Sequence, residues 1–95
     1  TVLEKVVKNA RLDYSAEEIR GKSRSNQISA ARQIAMYVVR EITGMTQLEI
    51  GQEFGGRDHT TVIYALSQVA KILESDPRKK EVIEDIIKNI RNADA

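Results

Sequence analysis

Four consecutive residues, Asp58, His59, Thr60 and Thr61, place a carboxylate, an imidazole and two hydroxyls side by side. A carboxylate next to an imidazole and a hydroxyl suggests the triad of a hydrolase. Neighbouring residues of a helix point about 100° apart, however, so Asp58 cannot orient His59 as a triad requires. The same groups suit a DNA major groove, where carboxylates accept from cytosine N4, hydroxyls bond to base edges and methyls pack on thymine. The cluster therefore favours DNA recognition, and we predict no catalytic residue.

The residues around this cluster predict a helix-turn-helix. Thr46 and Glu49 form a capping-box pattern, in which each side chain pairs with an otherwise unpaired backbone N–H, so a short helix begins just after Thr46. Gly55-Gly56 ends that helix, and Asp58 is a favoured N-cap for the next one. The motif spans about residues 46–74. The first turn of its second helix, the recognition helix, stays outside the core and is available to a major groove.

Apolar residues recur at intervals of three and four along the rest of the chain, which predicts helices and no strand. Ser15 opens a short helix, Gly44 ends a long one, and Asp76-Pro77 opens the last as an N-cap and N1 pair. The segment Lys22–Gln27 has no periodicity, and we interpret it as a loop or basic arm. The apolar residues of the last helix are Val82, Ile83, Ile86, Ile87 and Ile90. The predicted fold is all-α, a compact helical bundle.

Composition excludes several classes of protein. The 95 residues suit a single domain, residues 1–95, and the absence of Cys with only one His excludes a disulfide framework, a Cys-based zinc site and a multi-His metal site. The longest apolar run, Ile34–Val39, is far shorter than the roughly 20 residues of a membrane span, so no membrane contact is expected. Since helical periodicity is already running at Thr1, we interpret the chain as a fragment of a longer protein.

The net charge of +1 conceals a segregation of charge along the chain. Between Ile19 and Arg40 there is no acidic residue, whereas acids gather near Asp13 and after Glu74. The basic residues of that segment are Arg20, Lys22, Arg24, Arg32 and Arg40. A basic segment beside a helix-turn-helix favours DNA as the partner, although a solvated mixed surface would also account for it.

The string FGGRDHTTV at residues 54–62 resembles the signature of the DNA-binding domain of DnaA, the bacterial replication initiator. The strings ARQIAMY at 31–37 and EIG at 49–51 continue the resemblance, which covers nearly the whole chain. It implies a Trp-repressor-like helix-turn-helix that binds DnaA boxes, the short asymmetric A/T-rich duplex sites of replication origins. It also implies a cytoplasmic, nucleoid-associated parent whose AAA+ module binds ATP. This domain itself is expected to be monomeric, non-catalytic and without a cofactor.

The resemblance also implies roles for individual residues. The residues implied to read bases in the major groove are Asp58, His59, Thr60, Thr61 and Ile63. Arg24, in the arm, corresponds to an arginine that enters the neighbouring minor groove, which in A/T-rich DNA is narrow and strongly negative. The residues implied to contact phosphates are Arg32, Gln33, Arg40, Gln47, Leu48 and Arg57. Leu48 stands where a common form of the pattern has proline, and the arm Lys22-Ser23-Arg24 is thinner than in some relatives.

Two other functions remain open on the residues alone. One is a transcription regulator that shares the helix-turn-helix and reads a different operator. A dimeric regulator would pair two copies through the last helix with its five branched apolar residues, although such a helix more often closes the core. The other function is a protein-interaction bundle. An ATP or GTP site is not indicated, because no G-x-x-x-x-G-K-[ST] string occurs.

Overall fold

Six helices follow one another in a computed structural model that describes residues 1–10 and 12–93. They are α1 (Val2–Ala10), α2 (Ala16–Arg20), α3 (Asn26–Thr43), α4 (Gln47–Glu53), α5 (His59–Ser75) and α6 (Pro77–Ala93). The all-α prediction is confirmed. Residues 11, 94 and 95, which the predicted domain 1–95 includes, lie outside the described residues.

Both predicted capping boxes open their helices. The Ser15 hydroxyl accepts from the Glu18 N–H, and the Glu18 carboxylate accepts from the Ser15 N–H, each at 3.1 Å. Thr46 and Glu49 repeat this reciprocal pairing at 3.2 and 3.0 Å. Each box satisfies two backbone donors that a helix start leaves without an intrahelical partner. The short helices α2 and α4 therefore begin where their sequences predict.

The arm is shorter than predicted because α3 starts at Asn26, inside the segment interpreted as a loop. Ser25 is the N-cap of α3, and its hydroxyl accepts from the Ile28 N–H at 3.3 Å. This capping bond draws Asn26 and Gln27 into the first helical turn. Only the residues between α2 and Ser25 remain as an arm.

Helix α3 is the centre of the fold and packs against the other five helices. The side chains of α3 that face the apolar core are Ile28, Ala35, Met36, Val38 and Val39. Helix α6 closes the core with Ile83, Ile87 and Ile90, whereas Val82, predicted with them, is 58% exposed. The buried three recur at four and three residues and share one face, and Val82 points about 100° away from Ile83.

The turn between α4 and α5 folds back onto α4 at Gly51. The Gly51 carbonyl accepts from the N–H groups of Gly56 and Arg57 at 3.0 and 2.9 Å. A Cβ on Gly51 would lie 2.1 Å from the Arg57 carbonyl oxygen, so this contact requires glycine. Gly55 and Gly56 adopt φ values of 83° and 79°, a left-handed conformation that suits glycine. The turn thereby fixes the angle at which α5 leaves α4.

The described residues have a radius of gyration of 12.2 Å. A folded domain of this length is expected to have about 12 Å, so the bundle is compact. In residues 1–10 and 12–93, none of the helices combines the length and apolar character that a membrane crossing needs.

Candidate nucleic-acid interface

The beginning of α5 carries the predicted base-reading side chains on an exposed surface. Every residue from Asp58 to Tyr64 is exposed except Val62, which is fully buried in the core. Ile63 is 44% exposed and Tyr64 is 59% exposed, which is unusual for large apolar and aromatic side chains. The core therefore holds these two turns of α5 through the single side chain of Val62 and leaves the rest of them to solvent.

Asp58 and Thr60 are paired with each other at the start of α5. One carboxylate oxygen of Asp58, Oδ1, accepts from the Thr60 N–H at 2.7 Å and from the Thr60 hydroxyl. The hydroxyl hydrogen bond, followed by the backbone one, lowers the pKa of Asp58 below its ordinary value, so the group is ionised at neutral pH. The Thr61 N–H contributes to the same lowering of the pKa, and neither bond from Thr60 involves the second oxygen, Oδ2. Asp58 is thus the N-cap and keeps one acceptor for a ligand.

The first residues of α4 and α5 meet at one end of the motif. A shallow pocket between them is lined by Thr46, Gln47, Leu48 and His59. Leu48 is 66% exposed, the highest value among the large apolar side chains described. The structure therefore brings the two predicted contacts of α4 next to the predicted base reader His59.

A basic groove runs between the arm and the start of α5. Arg24, Arg57 and Thr61 line it, together with Lys22 and the glycine turn. The Arg24 side chain is exposed, and within residues 1–10 and 12–93 it makes no hydrogen bond or ion pair. The predicted minor-groove arginine thus lies beside the predicted recognition helix with its guanidinium available.

Arg32, predicted to contact phosphate, is buried, with 7% of its surface exposed. Its Nε donates to the Ile19 carbonyl at 2.7 Å, and its Nη2 donates to the Gly21 and Ser23 carbonyls at 3.0 and 3.2 Å. Burial, and then the like charge of Arg57, lowers the pKa of Arg32 from its ordinary value. Only Nη1 has no partner among the described residues, so a phosphate contact from Arg32 stays a prediction for that nitrogen alone.

Arg57, the last residue of the turn, is also bonded internally. Its Nη1 donates to the Arg20 carbonyl at 2.9 Å and to the Phe54 carbonyl, and its Nη2 donates to the Gly21 carbonyl. Partial burial lowers its pKa from the ordinary value. Arg57 therefore joins the glycine turn to residues 19–23, which we call the arm root, while part of its side chain still faces the basic groove.

The arm root attracts two arginines because its carbonyls have no helical partners. Helix α2 has five residues, and the last four carbonyls of any helix have no N–H group within the helix that donates to them. Gly21 does not adopt the left-handed capping conformation that would bond them locally, since its φ is −70° and its ψ is −178°. Guanidinium groups, with five donors in a planar fork, satisfy these carbonyls instead.

The remaining predicted contacts lie along α3. Gln33 is half-buried and lines a groove with Thr61 and Tyr64, whereas Arg40 is exposed near the end of the helix and lines none of these grooves. Tyr64 was not among the predicted site residues. Its position one turn after Thr61 on an outward face is the signal that indicates it.

Within the described ranges, no group of three or more His, Cys, Asp or Glu side chains is placed to hold a metal ion. A comparison with known families gives a match to the family model described as bacterial dnaA protein helix-turn-helix, over residues 1–69. This match spans α1 to α4 and most of α5. It includes every residue of the surface just described.

Proposed function

Because this chain belongs to the bacterial DnaA helix-turn-helix family, the C-terminal DNA-binding domain of the replication initiator, we propose that it recognises DnaA boxes. The family binds double-stranded DNA in replication initiation, and its domain is not catalytic. The observation that carries the proposal is the groove shared by Arg24 and Thr61. It sets an available arginine beside the exposed turn of a helix, as simultaneous reading of a minor and a major groove requires.

In the major groove, the exposed residues at the start of α5 read base edges. His59 and Thr61 have outward side chains, and Ile63 packs on a thymine methyl. Asp58 accepts from a base through Oδ2, and Thr60 uses a hydroxyl lone pair that its bond to Asp58 leaves available. The N-terminus of α5 adds its positive dipole end toward the DNA.

Arg24 enters the minor groove next to this site, where A/T-rich sequence narrows the groove and strengthens its negative potential. Arg40, Gln33 and the start of α4 contact phosphates and set the register of the domain. A box without internal symmetry suits one copy of the domain, which acts as a monomer. The domain, residues 1–95, uses no cofactor, and ATP binding belongs to an AAA+ module elsewhere in the parent protein.

Fluorescence anisotropy with a box-containing duplex and a scrambled duplex, each over a salt series, tests the proposal. We expect tight binding to the box only, with a slope of log K against log salt of roughly −4, as about four or five neutralised phosphates would give. Equal and weak binding to both duplexes would contradict recognition of DnaA boxes. Selection from a random duplex library would then show whether the domain reads a different operator, as a transcription regulator does.

A further inference from the structure

We propose that Arg32 and Arg57 are positioning residues that clamp the arm root to the helix-turn-helix and so present Arg24 to the minor groove. This inference rests on the proposed function, because it assigns the device that lets both grooves be read together. The two guanidinium groups bond to the same short stretch of backbone and share one acceptor, the Gly21 carbonyl.

The backbone is held immediately on both sides of Arg24. On one side, the Ser23 carbonyl accepts from Arg32 Nη2 at 3.2 Å. On the other side, Ser25 is the N-cap of α3 and bonds to the Ile28 N–H. The Arg24 side chain is exposed between these two anchors. A backbone that is already fixed reduces the entropy lost when Arg24 inserts into a groove.

The other end of the clamp reaches the recognition helix. Arg57 directly precedes Asp58, the N-cap of α5, and donates to the carbonyls of Arg20 and Gly21. Gly55 packs against the same backbone, since a Cβ there would lie 2.6 Å from the Arg20 carbonyl oxygen. The arm root and the start of α5 therefore move as one unit. The distance from Arg24 to the base-reading turn is set by this contact.

Lysine substitutions distinguish a positioning role of Arg32 and Arg57 from a direct phosphate contact. Lysine keeps the positive charge but has no planar fork that bonds to several carbonyls at once. In Arg57→Lys and Arg32→Lys, a role in phosphate neutralisation would survive, whereas the clamp would be lost. Arg78→Lys, at an exposed position of α6, is the matched control.

The first measurement uses the domain without DNA. Trypsin cleavage after Lys22 and Arg24, followed by mass spectrometry, reports how often the arm leaves its folded position. We expect cleavage to be several-fold faster than in the wild type in both clamp variants and unchanged in Arg78→Lys. Helicity measured by circular dichroism checks that each variant is folded. If Arg32→Lys fails to fold, Arg57→Lys decides. Unchanged cleavage in a folded Arg57→Lys variant would overturn the clamp, whatever the domain binds.

The second measurement uses duplexes. We expect Arg57→Lys to lower box affinity roughly tenfold, about the contribution of one groove contact, and to change the salt slope by the same amount as Arg24→Ala does. It should lose discrimination against G·C pairs placed in the minor-groove segment, because the guanine amino group no longer meets a positioned arginine. Combined with Arg24→Ala, it should cost nothing further, since both changes remove one contact.

Additive losses in that double variant, or a salt slope in the double variant that differs from the slope of Arg24→Ala alone, would overturn the proposal in favour of a direct phosphate contact. Failure of the proposed function would give a different result from failure of the clamp. The wild-type domain would then bind box and scrambled duplexes alike, while the cleavage measurement would still decide whether the two arginines hold the arm.

Discussion

Arginines lie both around the arm root and on the surface beside it, but those in the two regions act in opposite ways. Arg32 and Arg57 bond to backbone carbonyls of the arm root, whereas Arg24 and Arg40 are exposed and carry no such bonds in the described chain. Arginine as a residue type therefore does not indicate a DNA contact. What decides its role is whether unpaired carbonyls lie within reach, because a buried acceptor without a donor costs about 1–3 kcal/mol.

This contrast predicts that substitutions in the glycine turn and at the arginines bonded to the arm root change folding, while substitutions on the exposed surface change DNA binding. The largest effect is expected for Gly51→Ala, which forces the turn away from α4 because the new Cβ would lie 2.1 Å from the Arg57 carbonyl oxygen. The free energy of unfolding should fall by about 2–3 kcal/mol in urea denaturation, despite the better helix propensity of alanine.

Gly44→Ala is the control for Gly51→Ala. A Cβ on Gly44 would meet no atom of a residue beyond its chain neighbours within 4 Å, and only its φ of 71° disfavours a side chain. A loss of about 1 kcal/mol is expected there. If the two variants were equally stable, the close approach at Gly51 would not be the feature that holds the turn.

A smaller loss of stability, about 2 kcal/mol, is expected for Arg32→Met. The methionine fills the space but leaves the carbonyls of Ile19 and Ser23 without their donor, while the Gly21 carbonyl keeps the bond from Arg57. Arg40→Met, on the same helix but exposed, should change stability by less than about 0.5 kcal/mol. Thermal unfolding of the two variants measures the difference. Equal stabilities would contradict the distinction between arginines that bond to the arm root and arginines on the exposed surface.

On the exposed surface, His59→Ala should leave folding almost unchanged and lower the affinity for a box by about 1–2 kcal/mol. Discrimination should relax at a single base pair, which competition with box variants measures. His59 has no base-reading role if its variant keeps full discrimination.

Arg40→Ala should instead weaken binding to all duplexes alike and flatten the salt slope by about one unit.

The smallest effect concerns pH. Hydrogen bonds from Thr46 and Thr60 lower the pKa values of Glu49 and Asp58 from their ordinary 4.5 and 3.8 in the folded state. Their stabilising effect is therefore complete above these values and is lost as the pH falls through the lower, folded-state values.

The variants Glu49→Gln and Asp58→Asn keep acceptors for the caps and do not titrate. Urea denaturation between pH 6 and about pH 3 should show a shallower loss of stability in each variant than in the wild type. An identical pH profile would mean that these capping bonds do not favour the ionised carboxylates.

Much of the fold could be predicted because its signals are local. The capping boxes at Ser15 and Thr46, the N-cap at Asp58 and the start of α6 at Pro77 each depend on residues within one helical turn. The burial of Ile83 and Ile90 follows from spacing in the same way. The assignment of α3 failed at its start because Ser25 was not identified as a cap.

The roles of the buried arginines could not be predicted with the same ease, since their partners lie far away in sequence. Arg57 bonds to Gly21, 36 residues earlier, and this pairing depends on how α2 and α4 pack. A partial signal exists for Arg32. It lies four residues after Ile28 and three before Ala35, and thus on the apolar face of α3, where an arginine needs internal acceptors.

Val62 is the sole buried residue among the seven from Asp58 to Tyr64, so the part of α5 that we propose reads DNA is nearly independent of the part that supports the fold. Exchange of the other side chains leaves the apolar core intact. A new target site can therefore arise without an accompanying repair of the bundle. Libraries randomised at His59, Thr61 and Ile63 should be rich in folded proteins, and the same separation lets an initiator and its origin sequences diverge together.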